Sequence, residues 1–173
     1  MKQLLCGVLL FIGGCTHSEH MVQAEMHLTT EEANQNSIGT VIFIDTPKGL
    51  QIDVDLKNLP AGAHGFHIHE YPDCGHVIDK NGNKEYGVRA GGHYDPDKTH
   101  QHLGPDNDGH RGDLPILQVG KDGTVQTHIL VRSLTVAEIK NRSLMIHAGG
   151  DNYQDIPTPL GGGGIRIACG IIQ

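Results

Sequence analysis

The stretch TVIFIDTPKGLQIDVDL (40–56) decides the fold class of this 173-residue chain. TVIFID is a β-rich, period-two segment. Ile52, Val54 and Leu56 then alternate with polar residues, so one face is apolar and the other polar. Pro47 to Gly49 supply turn chemistry between the two runs. The same grammar recurs downstream at Leu114 to Val119, Val125 to Val131, Leu144 to His147 and Ile165 to Ile172. Turn residues at 58–62, Asn81-Gly82 and Asp122-Gly123 separate these runs. Only Thr135 to Asn141 reads as a short helix. Seven or eight short strands predict an all-β, Greek-key antiparallel sandwich or barrel, immunoglobulin-like, in one domain. Two regions, 71–113 and 148–164, carry little strand signal but much Gly, Asp, His and Pro. Loops this long in a compact domain point to function.

The N-terminus reads as an export signal. One lysine precedes an apolar run from Leu4 to Ile12, too short to span a bilayer. Ile12-Gly13-Gly14-Cys15 resembles a bacterial lipobox, with Val22-Gln23-Ala24 as a rival cleavage site. This gives a signal peptide over 1–14, an N-terminal tail over 15–37 leading into the first strand, and the domain over 38–173. The expected location is the periplasm, with lipid anchoring through acylated Cys15. Cleavage before Cys15 leaves twelve cationic and twenty acidic side chains, moving the formal charge from −7 to −8, whereas cleavage after Ala24 also removes Glu19 and leaves it at −7. Such a balance argues against a nucleic-acid partner. Cys6 leaves with the signal and Cys15 is acylated or removed. Cys74 and Cys169 remain, an even pair in an exported protein, which predicts a disulfide.

Thirteen histidines are the compositional outlier. In HGFHIHEYPDC (64–74), His67 and His69 stand at i and i+2 of a strand and share a face. His64, at i−3, faces the other way and reads as a packing residue. The stretch 91–115 offers His93, His100, His102, His110 and Asp113 on a loop. Three imidazoles and a carboxylate form a closed tetrahedral set that suits zinc. His147 ends a predicted strand and, with His67 and His69, completes an imidazole-rich copper site. His17, His20 and His27 read as solvated residues rather than a metal-catching tail.

Six fragments now align in order: GFHIHE (65–70), GGHYDP (91–96), HLGP (102–105), GHRGDLP (109–115), MIHAGGD (145–151) and GGGGIRIACG (161–170). Together they resemble the bacterial Cu/Zn superoxide dismutases. The resemblance implies an enzyme that converts superoxide to oxygen and hydrogen peroxide, with one copper and one zinc per subunit. It implies His67, His69, His93 and His147 as copper ligands and His93, His102, His110 and Asp113 as zinc ligands. His93 would bridge the metals as an imidazolate. His100 competes with His102, but the family's histidine immediately precedes x-G-P, which favours His102. Asp151 matches an aspartate linking ligand histidines of both sites, Arg166 an arginine at the copper channel, and Cys74–Cys169 the family's disulfide. Lys84 and Arg89 are candidates for steering the anion past a negative surface. A homodimer is the expected assembly. The rival function is a copper- or zinc-storing protein on the same scaffold, which would have no use for Arg166.

Overall fold

The computed structural model describes residues 20–30 and 36–173. The signal segment, Cys6, Cys15 and His17 lie outside the described residues. In chain order the strands are β1 (Met21–Leu28), β2 (Ser37–Thr46), β3 (Gly49–Leu56), β4 (Gly62–His64), β5 (Phe66–His69), β6 (Val77–Ile78), β7 (Lys84–Glu85), β8 (Leu117–Val119), β9 (Val125–Val131), β10 (Ser143–His147) and β11 (Arg166–Ile171). The expected helix is a single turn, α1 (Val136–Ile139).

Seven strands form one antiparallel sheet in the order β5-β10-β11-β1-β2-β3-β9. The steps from β3 to β9 and from β11 back to β1 are Greek-key hops. The edge strands β5 and β9 do not end the surface. β4 runs into β5 through Gly65, β8 runs into β9 through the 120–124 turn, and β4 pairs with β8. This short ladder joins the two edges, so the sheet curls into a barrel and leaves little open strand edge. The expected all-β antiparallel architecture is what the chain adopts.

Inside lies a core that includes Ala24, Met26, Phe43, Leu50, Ile52, Phe66, Ile68, Leu117, Leu144 and Ile146, all fully buried. In the opening stretch Val41 and Phe43 on β2 face Val54 and Ile52 on β3 across the ladder. The alternation read from sequence is therefore the inward side of the barrel.

Within the tail expected over 15–37, residues 21–28 instead form an eight-residue strand between β11 and β2. Val22, Ala24 and Met26 point inward and alternate with Gln23, Glu25 and His27. Ala and Met have little strand preference, and barrel closure supplies what propensity does not.

Both long loops are where the sequence put them. Within 71–92 the hairpin β6–β7 and a 3-10 turn at Val88–Ala90 are the sole regular pieces. The Cys74–Cys169 disulfide ties this segment to β11.

Candidate metal centre

β5 organises the centre. Its four residues are all buried, and one side of its backbone pairs with the loop rather than with a strand. Ile68 donates to Gly112 O (2.9 Å) and accepts from Tyr94 N–H (2.8 Å), while Gly112 N–H donates to Tyr94 O (2.8 Å). This puts His67 opposite Asp113 and His69 opposite His93. Arg142 fastens the junction: its guanidinium lies 3.6 Å over the Tyr94 ring and Nη1 donates to Glu70 O. Glu70 in turn accepts Gly92 N–H at 3.0 Å, which fixes the backbone just before His93.

The result is two overlapping groups whose ligand-type atoms lie within 4.8 Å of one another. One holds His67, His69, His93 and His147; the other holds His67, His93, His102 and Asp113. The first is the expected copper set. The second differs from the expected zinc set by including His67 in place of His110. His110 stands at its rim, with Nδ1 3.6 Å from Asp113 Oδ1 and its ring centroid 5.4 Å from that of His93.

Outward nitrogens are tied down and inward ones are not. His67 Nε2 and His102 Nε2 each lie 2.7 Å from a different oxygen of Asp151. His69 Nδ1 donates to Gly91 O (3.0 Å) and His147 Nδ1 to Gly164 O (3.1 Å). These partners set the tautomers. They leave buried His67 Nδ1, His93 Nε2 and His110 Nδ1 without hydrogen-bond partners, while His102 Nδ1 lies 2.9 Å from Asp113 Oδ2. His69 Nε2 and His147 Nε2 face each other at 3.4 Å. With both Nδ1 protons committed to carbonyls, that contact joins two lone pairs, an arrangement that only a cation between them relieves. Unpartnered buried acceptors are costly, and here they converge, so the residues present fit bound metal. His93 is the hinge between the groups: Nδ1 lies 2.9 Å from Asp113 Oδ1, and Nε2 points the other way.

The electrostatics agree. Burial, reinforced by the neighbouring His93, pushes the His67 ring down to about 3. Burial likewise takes His147 to about 4, against its bond to Gly164. His69 falls well below its usual value for the same first reason, with His93 and Arg166 adding to it. These rings are neutral at ordinary pH, the state a metal needs. For His102, burial opposes the charged form, but Asp113 and Asp151 outweigh it and raise the ring to about 9. Burial alone would raise Asp113 and Asp151, yet the histidines hydrogen-bonded to them hold both far below the carboxylate range.

Arg166 is half-buried. It donates through Nη1 to Gly87 O (2.6 Å) and through Nη2 to Gly91 O (2.7 Å). Gly91 O thus serves both Arg166 and His69, and the arginine's charge depresses both His69 and His147. Arg89 is spoken for by Asp73 at 2.8 Å, which weakens it as a steering charge. Lys84 lines a surface groove together with Arg166 and Ile165. His100 is exposed. His64 places both ring nitrogens against carbonyls of Pro60 and His147, away from the cluster. His27 sits on β1 beside Glu25, and the carbonyl of His20 accepts Asp45 N–H; neither joins the centre.

Sequence reasoning missed the carbonyls of Gly87 and Gly91 and the contact of Asp155 Oδ2 with His102 N–H. It also missed Gly161. A Cβ there would lie 1.9 Å from Asp151 Oδ1 and 2.8 Å from His102 Nε2, and φ is +68°. Any side chain at that position would break the Asp151–His102 bond.

Comparison with known proteins agrees with this chemistry. The profile of the family described as copper/zinc superoxide dismutase (SODC) matches residues 37–172. A Cu-Zn superoxide dismutase of Brucella abortus is 52% identical over 137 residues, covering 79% of each chain. One from Escherichia coli K12 is 42% identical over 174 residues, covering all of both. The solved structure of Cu/Zn superoxide dismutase from Brucella abortus superposes with a TM-score of 0.83 at 47% identity, covering 88% of this chain and 99% of that one. The chain belongs to the copper/zinc superoxide dismutase family.

Proposed function

We propose that this protein disproportionates superoxide: two superoxide anions and two protons give dioxygen and hydrogen peroxide. The observation that carries the reading is the His93 ring, which presents one nitrogen to the Asp113 carboxylate and the other, unpartnered, to the group of His67, His69 and His147. His67, His69, His93 and His147 would hold copper; His93, His102, His110 and Asp113 would hold zinc. Copper, when bound, supplies one-electron redox chemistry, and zinc supplies fixed charge without it.

The chain's own residues do the rest. Arg166 supplies a permanent positive charge for the anion, and its two carbonyl bonds fix where the guanidinium points. His93 Nε2 is a place to hold a proton between the two half-reactions. Asp113 stays ionised and keeps the His93 ring in position through Nδ1. Asp151, Gly91 and Gly164 lock the neighbouring rings into the tautomers that leave inward lone pairs. The storage alternative leaves Arg166 without a task.

Competition with cytochrome c for superoxide, run on metal-loaded protein, tests the activity. His67→Ala should abolish it and sharply weaken copper binding while zinc stays. Full metal occupancy with negligible wild-type activity would return the storage reading.

The export segment supports a periplasmic, lipid-anchored protein cleaved before Cys15. Cleavage after Ala24 would remove half of β1, including buried Val22 and Ala24, and strip the sheet of inward side chains. Cys15→Ala should move the protein from the membrane fraction to the soluble one. Retention in the membrane fraction would end the acylation proposal.

A further inference from the structure

We infer that Tyr153 is a positioning residue, a latch that holds Asp151 between His67 and His102 by pinning the 148–164 loop onto the 101–117 loop. The inference rests on the ligand sets proposed above. Three contacts made by this one residue carry it. Its N–H donates to Asp151 Oδ1 at 2.8 Å, the oxygen that also takes His102 Nε2. Its phenol oxygen accepts Ile116 N–H at 2.8 Å across the loop boundary. Its side chain packs against Gly104, where a Cβ would meet Tyr153 Cγ at 2.7 Å. Gly104 N–H in turn donates to Asp113 Oδ2 at 3.2 Å. One residue therefore reaches both carboxylates of the centre, Asp151 through its own amide and Asp113 through the backbone of Gly104.

The backbone of Tyr153 has φ +58°, a region that bulky residues rarely enter. Such strain persists only where the surroundings over-determine it and is a pointer to function. Here the positive φ accompanies an amide that meets Asp151 while the side chain packs against Gly104. A tyrosine that merely filled space would not need it.

Two variants separate latch from filler. Tyr153→Gly removes the side chain and relaxes the backbone; Tyr153→Phe keeps the ring and loses only the bond to Ile116, whose amide is near solvent. In copper(I), zinc-loaded protein, proton NMR reads the Nε2–H of His67 and His102 on Asp151, with the Nδ1–H of His69 on Gly91 as an internal control. Chelator challenge reads zinc release. Tyr153→Gly should release zinc about 10-fold faster, the scale of lost outer partners of metal ligands, and speed exchange of the two Asp151-bound protons while sparing that of His69. Tyr153→Phe should stay within about 3-fold of wild type, the cost of one solvent-near hydrogen bond. Wild-type zinc release and proton exchange in Tyr153→Gly would overturn the latch, and so would equal loss of all three protons, which means general loosening. If wild type itself lacks both Asp151-bound protons, the ligand sets fall and the latch with them.

Discussion

Replacing Asp151 by asparagine should unload the copper side before the zinc side. The carboxylate accepts three N–H groups: Oδ1 takes those of His102 Nε2 and Tyr153, and Oδ2 takes that of His67 Nε2. An amide can accept on one atom only. Its oxygen will settle where two donors converge, facing His102 and Tyr153. The amide NH2 then points at His67 Nε2–H, a donor against a donor in a fully buried site. His67 can escape only by moving its proton to Nδ1, the inward nitrogen that would bind metal. A lost charge-assisted bond is worth about 1.5–3 kcal/mol, so copper affinity should fall roughly 10- to 100-fold. Zinc affinity should change less, because His102 keeps its acceptor. Competition against a graded series of copper chelators, with zinc measured in parallel, gives both numbers. Wild-type copper affinity in Asp151→Asn, or loss of zinc while copper stays, would refute the assignment of hydrogen bonds.

In the metal-free protein, His67 at about 3 and His147 at about 4 bind no proton in the fold but do in the unfolded chain below 6.5. Stability should fall as pH drops from 6.5 toward 4, by up to about 1.4 kcal/mol per pH unit for each ring. His102 acts in the opposite sense. Raised to about 9, it holds in the fold a proton that the unfolded chain lacks between 6.5 and 9, so stability should fall as pH rises through that window. Urea midpoints should peak near 6.5, and a steady climb from pH 4 to 9 would contradict this. Cys169→Ser opens a loop of 95 residues and should cost about 4–5 kcal/mol of stability, measured by denaturant titration against wild type. Arg166→Glu should slow turnover by about 10-fold or more with both metals retained, since the local field guides an anion. Equal rates at low ionic strength would remove Arg166 from the docking role.

How much was legible depended on whether a signal was local. β2 and β3 were readable because alternation and turn chemistry coincide in one stretch. β1 carries the same alternation, but Ala24 and Met26 are not strong strand formers, and partners 140 residues away complete the case. His67 and His69 announce themselves by spacing. His93, His102 and Asp113 needed a family resemblance, because no local rule says that a loop will fold back against β5. The carbonyls of Gly87, Gly91 and Gly164 had no sequence signature, for every residue has a carbonyl. Tyr153 was invisible for a related reason: its task exists only once two loops separated by some forty residues touch.

The position of β1 bears on how the molecule folds. Among the described strands β1 comes first in the chain yet lies mid-sheet, and one of its two neighbours is β11, which comes last; Gln23 and Gln173 exchange backbone hydrogen bonds at 2.9 Å. Sheet closure therefore brings together segments some 140 residues apart. Such non-local pairing makes folding slow, and the histidines, spread from 67 to 147, gather only on the barrel that this pairing completes.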